Sequence, residues 1–321
     1  MENVDLVYLW VDGNDPDWKI KKQKAQVERG IEPDPQVVNK GRFVDNEELR
    51  YSLRSVEMYA PWINKIYIVT DDQTPSWLNT ENPKIKLVSH KDILPAECLP
   101  TFNSHALELA LTNIEGLSER FLYANDDTFF AQPVTPEFFY TSDGCPIARF
   151  SRRRKFSSAT LYSTVLNKAQ ALIKQRYGKC CTHNPHHNID AYLKSDVKRC
   201  IGEFADLAKR TQREPFRTPN DLQRVVFLLW ALVNGRAKKK IVRHYGSVQS
   251  PREFFWCLIN GKYRVDSRSF GLHVANVEKK IEKYNPSLMC LNDTEMATDE
   301  CRGQMKDYLE RRFPYKSSFE K

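Results

Sequence analysis

Glycine is scarce, with twelve in 321 residues, which excludes a collagen-like or glycine-rich architecture. Long apolar runs are missing as well. The longest, Val225 to Val233, is about half of the roughly 20 residues that a transmembrane helix needs. The opening Met1-Glu2-Asn3-Val4-Asp5 has neither a basic nor an apolar region, so it does not read as a signal peptide and a cytoplasmic protein is expected. The eight cysteines (Cys98, Cys145, Cys180, Cys181, Cys200, Cys257, Cys290 and Cys301) form no Cys-x-x-Cys pair, which argues against a zinc site. Without a secretory signal they are expected as reduced, mostly buried thiols. No internal repeat or low-complexity stretch is present.

What the chain does have is an ordinary globular balance, 41% hydrophobic and 28% charged, with 12% aromatics to build a core. Wholesale disorder is therefore excluded. The length suits two domains or one large α/β domain with additions. A net charge of +8 suits an anionic ligand, an acidic polymer or a membrane surface, and selects none of them.

Up to about residue 140, strand and helix patterns alternate, which predicts an α/β fold with a mainly parallel, Rossmann-like sheet. Val4 to Val11 reads as a strand ending in the turn Asp12-Gly13-Asn14-Asp15-Pro16. The charged stretch to Lys40, with Pro33 and Pro35, reads as an exposed excursion. Asp45 is expected to cap a helix, with Glu48 completing a capping box. Leu49, Leu53 and Val56 share one face of it, and Pro61 ends it. Strands follow at Lys65 to Thr70 and Ile85 to Ser89, a helix at Ser104 to Ile114, and a buried strand at Phe121 to Ala124 that runs into Asn125-Asp126-Asp127. Beyond Tyr140 the basic stretch Arg149 to Lys155 precedes mainly helical patterns: Ala159 to Tyr177, Asn188 to Lys198, Pro219 to Asn234, Val277 to Tyr284 and Thr294 to Arg312. A division into a core at 1–145 and a mostly helical portion or insertion at 146–321 is expected.

Asn125-Asp126-Asp127 is the sharpest chemical signal. Acids directly after a buried strand lie at the carboxyl end of the sheet, where open α/β folds bind ligands. A divalent cation relieves the repulsion between neighbouring carboxylates; the alternative is a solvated turn. Arg50 and Arg54, four apart on one helix, can grip a phosphate, or simply form ion pairs with Glu47 or Glu57. His183-Asn184-Pro185-His186-His187 concentrates three imidazoles that can accept a proton, stabilise phosphate charge or, less readily at this spacing, ligate a metal. Arg217 precedes the helix expected near Pro219, a ready anion site. Asp12 and Asn14 are pocket residues or turn formers, and His105 opens a helix that can face the same cleft. Arg152-Arg153-Arg154-Lys155 is a solvated face or a contact for anionic groups.

In this order the pieces resemble the Stealth family of sugar-phosphate transferases, which includes bacterial capsular-polysaccharide phosphotransferases and the animal lysosomal-enzyme N-acetylglucosamine-1-phosphotransferase. Four blocks carry the likeness: Val7-Tyr8-Leu9-Trp10-Val11-Asp12-Gly13-Asn14-Asp15-Pro16; a long block from Asp45-Asn46-Glu47-Glu48-Leu49-Arg50 to Tyr123-Ala124-Asn125-Asp126-Asp127; His183-Asn184-Pro185-His186 with Ile189-Asp190; and Cys290-Leu291-Asn292-Asp293. Asp12 stands where the family usually has asparagine, and Ala124 replaces a bulkier residue.

The resemblance implies transfer of a hexose-1-phosphate, typically N-acetylglucosamine-1-phosphate, from a UDP-sugar to a hydroxyl of an oligosaccharide or polysaccharide, with release of UMP. It implies Mg²⁺ or Mn²⁺ on Asp126 and Asp127, charge absorption by Arg50, Arg54 and Arg217, and proton transfer by His183, His186 or one of the aspartates. Trp10, Asp12, Asn14, His105, Asn125, Asn292 and Asp293 are expected to line the donor and acceptor pocket. It further implies work at the inner face of the cell membrane, in peripheral contact with the membrane or capsule assembly machinery, and no nucleic acid as partner. A metal-dependent glycosyltransferase releasing UDP, or a non-enzymatic module for an acidic polymer, are the competing readings.

Overall fold

The computed structural model describes residues 2–30, 45–153, 160–242, 268–269, 274–293 and 297–321. Five strands form the main sheet. β1 (Val4–Leu9), β2 (Ile66–Thr70), β3 (Ile85–Ser89) and β4 (Arg120–Asn125) run parallel, and β8 (Asp190–Leu193) is antiparallel to β4, in the order β3-β2-β1-β4-β8. The mainly parallel sheet expected from the alternating pattern is therefore present. Its inner strands are near-continuous apolar runs because both faces are covered.

Successive residues alternate between the two faces. Leu6, Tyr8, Ile66, Ile68 and Leu122 pack with Leu49, Leu53 and Val56 of α2 (Glu48–Tyr59) on one side. Val7, Tyr67, Val69, Phe121 and Tyr123 pack on the other with Leu166, Ala169 and Ile173 of α5 (Leu161–Tyr177), and with α8 (Val225–Val233). The longest apolar run of the sequence is thus a core helix. Among the described residues, no helix is long and apolar enough to cross a membrane.

Several local expectations change. The excursion after Asp15 contains α1 (Pro16–Arg29), whose first amides are capped by the Asp15 side chain; residues 31–44 lie outside the described ones. The helix expected at Ser104 to Ile114 stops early, as α4 (Ser104–Glu108), a short 3₁₀ turn following at Leu111–Asn113; α3 (His90–Ile93) follows directly on β3. The helix expected from Asn188 instead begins with strand β8 and becomes helical only at α6 (Lys194–Glu203). Pairing with the backbone of β4 overrides the local helical pattern there. α7 (Ala205–Arg213) completes that arm.

The second half of the chain is woven into the first. β11 (Leu288–Asn292) pairs antiparallel with β5 (Thr128–Phe130), and β10 (Arg268–Ser269) pairs with β11. A third sheet joins β7 (His183–Pro185), β6 (Ile147–Arg153) and β9 (Lys238–Ile241). α9 (Val274–Tyr284) and α10 (Asp299–Arg312) pack beside α2 around Tyr51, Phe129 and Phe313.

Arg50 and Arg54 are placed here, in the fold rather than in a ligand pocket. Arg54 donates from Nε and Nη2 to the two carboxylate oxygens of Glu320 at 2.9 and 3.1 Å, and from Nη1 to Glu310 and the Phe313 carbonyl. Arg50 Nε reaches Glu320 at 2.5 Å, and its Nη1 lies 3.5 Å from Glu47. The expectation that these two guanidiniums grip a phosphate is corrected: their donors are spent on carboxylates, as an ion-paired helix surface would spend them.

Burial alone raises the proton affinity of Glu320, but Arg54, the Ser317 amide and Arg50 outweigh it and hold the carboxyl down at about 2. Glu320→Gln takes from the buried Arg54 guanidinium its buried charge partner, leaving only the half-exposed Glu310, and is expected to cost on the order of 3 kcal/mol, read as a fall in thermal midpoint. Because the folded-state value is depressed, this contribution is complete above the unfolded carboxyl range and fades as the pH falls towards 2. Wild type and variant should therefore converge in acid; a constant gap down to that pH contradicts the assignment.

Candidate active site

The acidic turn occupies the carboxyl end of β4. The Thr128 hydroxyl closes it by donating to the Asn125 carbonyl at 2.6 Å, and the Asp127 amide donates to Asp126 Oδ1 at 3.0 Å. α2 is pinned over this turn by a polar track. Tyr8 Oη lies 2.7 Å from Ser52 Oγ, Ser52 donates to the Thr128 carbonyl at 2.6 Å, and the Phe130 amide donates to Ser55 at 3.0 Å. That docking brings Glu48, one turn earlier on the helix, towards Asp126.

The helix start differs from the expected capping box. Glu47, in the left-handed region at φ 64°, is the residue before the helix, and Asp45 accepts its amide at 2.9 Å. Glu48 reaches back to the amide and side chain of Asn46, at 2.7 and 2.6 Å, rather than to Asp45.

Four carboxyl groups consequently share one end of the sheet. Burial raises Asp126 well above the carboxylate range, and Asp127, Glu48 and Asp45 push it further. Burial also lifts Asp127 to about 6, against donors from Cys290 and Asn292. Glu48 is lifted by burial to about 7, with Asn46 pulling back and Asp45 adding to the rise. Asp45 reaches about 6 through burial, opposed by the Glu47 amide and the Trp10 indole and aided by Asp12. Asp45 and Glu48 were legible only as helix-start residues, because their approach to Asp126 is a tertiary fact.

Two arginines, Arg224 and Arg217, stand near His187, the histidine beside this turn. Arg217 is half-buried, its guanidinium donates to Ser104 Oγ, and among the described residues it has no carboxylate ion pair. Its loop is held by Asp221, which accepts from the Thr218 amide (3.0 Å) and hydroxyl (2.6 Å), from Asn103 Nδ2 (3.0 Å) and from His105 Nδ1 (3.0 Å). His105 therefore supports the Arg217 loop instead of lining the pocket. The neighbouring Arg224 is occupied by Asp190, Glu108 and Tyr192.

The histidine that reaches the acidic turn is His187. Its Nε2 lies 3.4 Å from Asn125 Nδ2, and Asn125 Oδ1 accepts from Tyr123 at 3.0 Å. Burial, with Arg224 and Arg217 nearby, lowers His187 to about 4, so the imidazole is neutral at physiological pH. His183 sits in β7 with Nδ1 3.9 Å from Cys181 Sγ, and buried His186 donates its amide to the Arg149 carbonyl. The choice of His183 and His186 is replaced on geometry by their neighbour. Within a Pro-broken segment, spacing does not say which ring faces inward.

The last block arrives through β11, whose register sets Cys290 opposite Thr128. Asn292 Nδ2 donates to Asp127 Oδ2 at 2.6 Å, whereas Asp293 is taken by Arg302 at 2.7 Å. Trp10 is buried beside Asp45. Asp12 forms a turn: its side chain accepts the Asn14 amide at 2.7 Å, its own amide donates to Gln73 Oε1 and its carbonyl accepts from Gln73 Nε2; Asn14 is exposed.

The acidic turn lies at the carboxyl edge of a mainly parallel sheet, the edge where open α/β folds bind ligands, with His187 beside it and Arg217 close enough to act on that imidazole. Sequence comparison makes the class specific. Stealth protein CR1, conserved region 1, matches residues 2–26, and Stealth protein CR2, conserved region 2, matches residues 42–148. The exopolysaccharide phosphotransferase cps2G of Lactiplantibacillus plantarum is 31% identical over 99% of this chain and 96% of its own length. The exopolysaccharide phosphotransferase CpsY of Mycobacterium tuberculosis is 32% identical over 99% of this chain and 58% of its own. The chain thus belongs to the Stealth family. Against several other relatives it spans about a quarter to a half of their length, as with a Streptomyces coelicolor exopolysaccharide phosphotransferase that is 39% identical over 69% of this chain and 24% of that one. Among solved structures, the galactosyltransferase LgtC in complex with donor and acceptor sugar analogues aligns over 97% of this chain and 95% of that one, at 10% identity and a TM-score of 0.45.

The raised carboxyls have a measurable consequence. The folded state keeps protons that the unfolded chain releases above about pH 4, so stability falls as the pH rises through about 6 and 7. Glu48→Gln removes one of the repelling charges. In thermal melts from pH 4.5 to 8 without divalent cations, it is expected to raise the midpoint at pH 8 by a few degrees and to flatten the decline. An unchanged slope counts against the clustered acids.

Proposed function

We propose that this chain transfers a hexose-1-phosphate, with N-acetylglucosamine-1-phosphate the first candidate, from a UDP-sugar to a hydroxyl of an oligosaccharide or polysaccharide acceptor. The acceptor oxygen forms a bond to the sugar-linked phosphorus as the bond to the UMP oxygen breaks, giving a phosphodiester and UMP. The observation that carries the reading is the acidic turn itself: Asp127 Oδ1 is buried with no hydrogen-bond partner among the described residues, and a ring nitrogen of His187, whose proton affinity burial and the Arg224 and Arg217 charges lower, lies within 4.8 Å of that carboxylate. The names of the matched relatives support the same chemistry.

Asp127, with Asp126 beside it, suits a divalent cation such as Mg²⁺ or Mn²⁺, because burial among acids leaves excess negative charge for a cation to neutralise. When bound, that ion supplies charge neutralisation at the diphosphate. The chain's own residues do the rest. Arg217 stabilises charge on the non-bridging oxygens, where a fixed donor in a desolvated crevice contributes a few kcal/mol. Asp126, in its ionised form, takes the proton of the attacking hydroxyl. His105 and Asp221 keep the Arg217 loop in register, and Trp10 walls the crevice.

Incubation with UDP-sugars, a divalent cation and oligosaccharide primers, followed by nucleotide chromatography, is expected to show primer-dependent UMP. UDP without UMP means attack at the anomeric carbon and overturns the phosphotransferase reading. Arg217→Ala is expected to keep the native circular dichroism and lose turnover by about 10² to 10³, with Arg217→Lys recovering part of it. Wild-type rates in Arg217→Ala remove it from the reaction.

A further inference from the structure

The transfer proposed above gives His187 no part, although its ring stands beside the acidic turn. A chain of hydrogen bonds decides which of its nitrogens carries the proton. The chain starts at Tyr123, buried in β4, whose phenol has a single proton to give. Its Oη lies 3.0 Å from Asn125 Oδ1 and 3.5 Å from Glu108 Oε1. Glu108 is already engaged by Arg224, through the amide at 3.2 Å and Nε at 3.6 Å. The shorter contact, to Asn125, takes the phenolic proton.

With Oδ1 accepting from Tyr123, the Asn125 amide turns its N–H side towards His187, whose Nε2 lies 3.4 Å from Asn125 Nδ2. A ring nitrogen that accepts from an N–H group holds no proton of its own, so the hydrogen of the imidazole sits on Nδ1. That nitrogen is not used by the fold. His187 is only partly buried, and among the described residues its Nδ1 has no hydrogen-bond partner. The ring also lies against the reacting end of the sheet, within 4.8 Å of the Asp127 carboxylate.

We propose that Tyr123 and Asn125 are positioning residues that fix His187 as its Nδ1–H tautomer, so that His187 meets the substrate as a hydrogen-bond donor and not as the proton acceptor. A neutral imidazole of this kind polarises an oxygen on which negative charge grows, here a non-bridging oxygen of the transferred phosphate. It leaves the proton of the attacking hydroxyl to Asp126. The target of the donor rests on the transferase reading; the tautomer does not.

The test uses the full chain with ¹⁵N-labelled histidines, read by long-range ¹H–¹⁵N correlation, the His187 signals being identified by their loss in His187→Asn. A protonated Nδ1 and a bare Nε2 are expected. Tyr123→Phe, which frees the Asn125 amide to turn over, should bring in the Nε2–H form and lower UMP release roughly tenfold. The donor role is read separately. Asparagine can set an N–H close to the place of Nδ1 but cannot take up a proton. His187→Asn is therefore expected to keep turnover within about tenfold of wild type, whereas His187→Ala loses on the order of 10². A protonated Nε2 in the wild type, or His187→Asn no more active than His187→Ala, overturns the inference. UMP release from a wild type in the Nε2–H form leaves the transferase standing and removes the positioning; the Nδ1–H form without UMP release does the reverse.

Discussion

Carboxyl groups that repel one another are held together at the end of β4, and much of the surrounding structure serves to keep them there. Asp126 and Asp127 follow a strand buried in the middle of a parallel sheet, so they cannot swing away. Glu48 and Asp45 are brought against them by α2, which is bolted to the sheet end through Tyr8, Ser52 and Ser55. An isolated cluster of this kind opposes folding. Its persistence makes sense as a place where positive charge arrives from outside, and the raised proton affinities of all four groups report the same unmet demand.

The rest of the chain works to hold that end of the sheet in place and to furnish its opposite wall. β11 pairs with β5 and delivers Cys290 and Asn292 to Asp127. The last residues return to α2, where Glu320 joins Arg50 and Arg54 in a buried charge cluster that ties the C-terminus to the helix carrying Glu48. On the far side, the Asp221 hub of His105, Asn103 and Thr218 shapes the loop that presents Arg217. The arginines differ in their partners: Arg50, Arg54, Arg224 and Arg302 are held by carboxylates, whereas Arg217 donates to Ser104 and, among the described residues, makes no carboxylate ion pair.

Membership of the Stealth family and the ordering of its blocks agree with this division of labour. Conserved regions 1 and 2 carry β1 to β4 and the acidic turn, and later segments bring His187, Cys290 and Asn292 beside it. The blocks are far apart in sequence because a parallel sheet needs long crossovers between neighbouring strands, and each block sits where the chain returns to the same edge.

Periodicity and apolar runs were enough to place the parallel strands, α2 and the acidic turn, because those features are set by local burial patterns that repeat along the chain. Asn125-Asp126-Asp127 could be singled out for the same local reason, as acids at a strand end, whereas Arg217 was singled out as preceding a helix at Pro219 that in the structure begins only at Val225. Strand β8, the assignment of Arg50 and Arg54 to Glu320, and the choice of His187 over His183 and His186 were not legible, since each depends on a partner distant in the chain. The convergence of Asp45, Glu48 and Cys290 on the turn belongs to the same class. Hydrogen-bond pairing, ion pairing and burial among remote residues are decided only when the sheet and its covering helices have packed, and the chemistry of this crevice is made of those contacts.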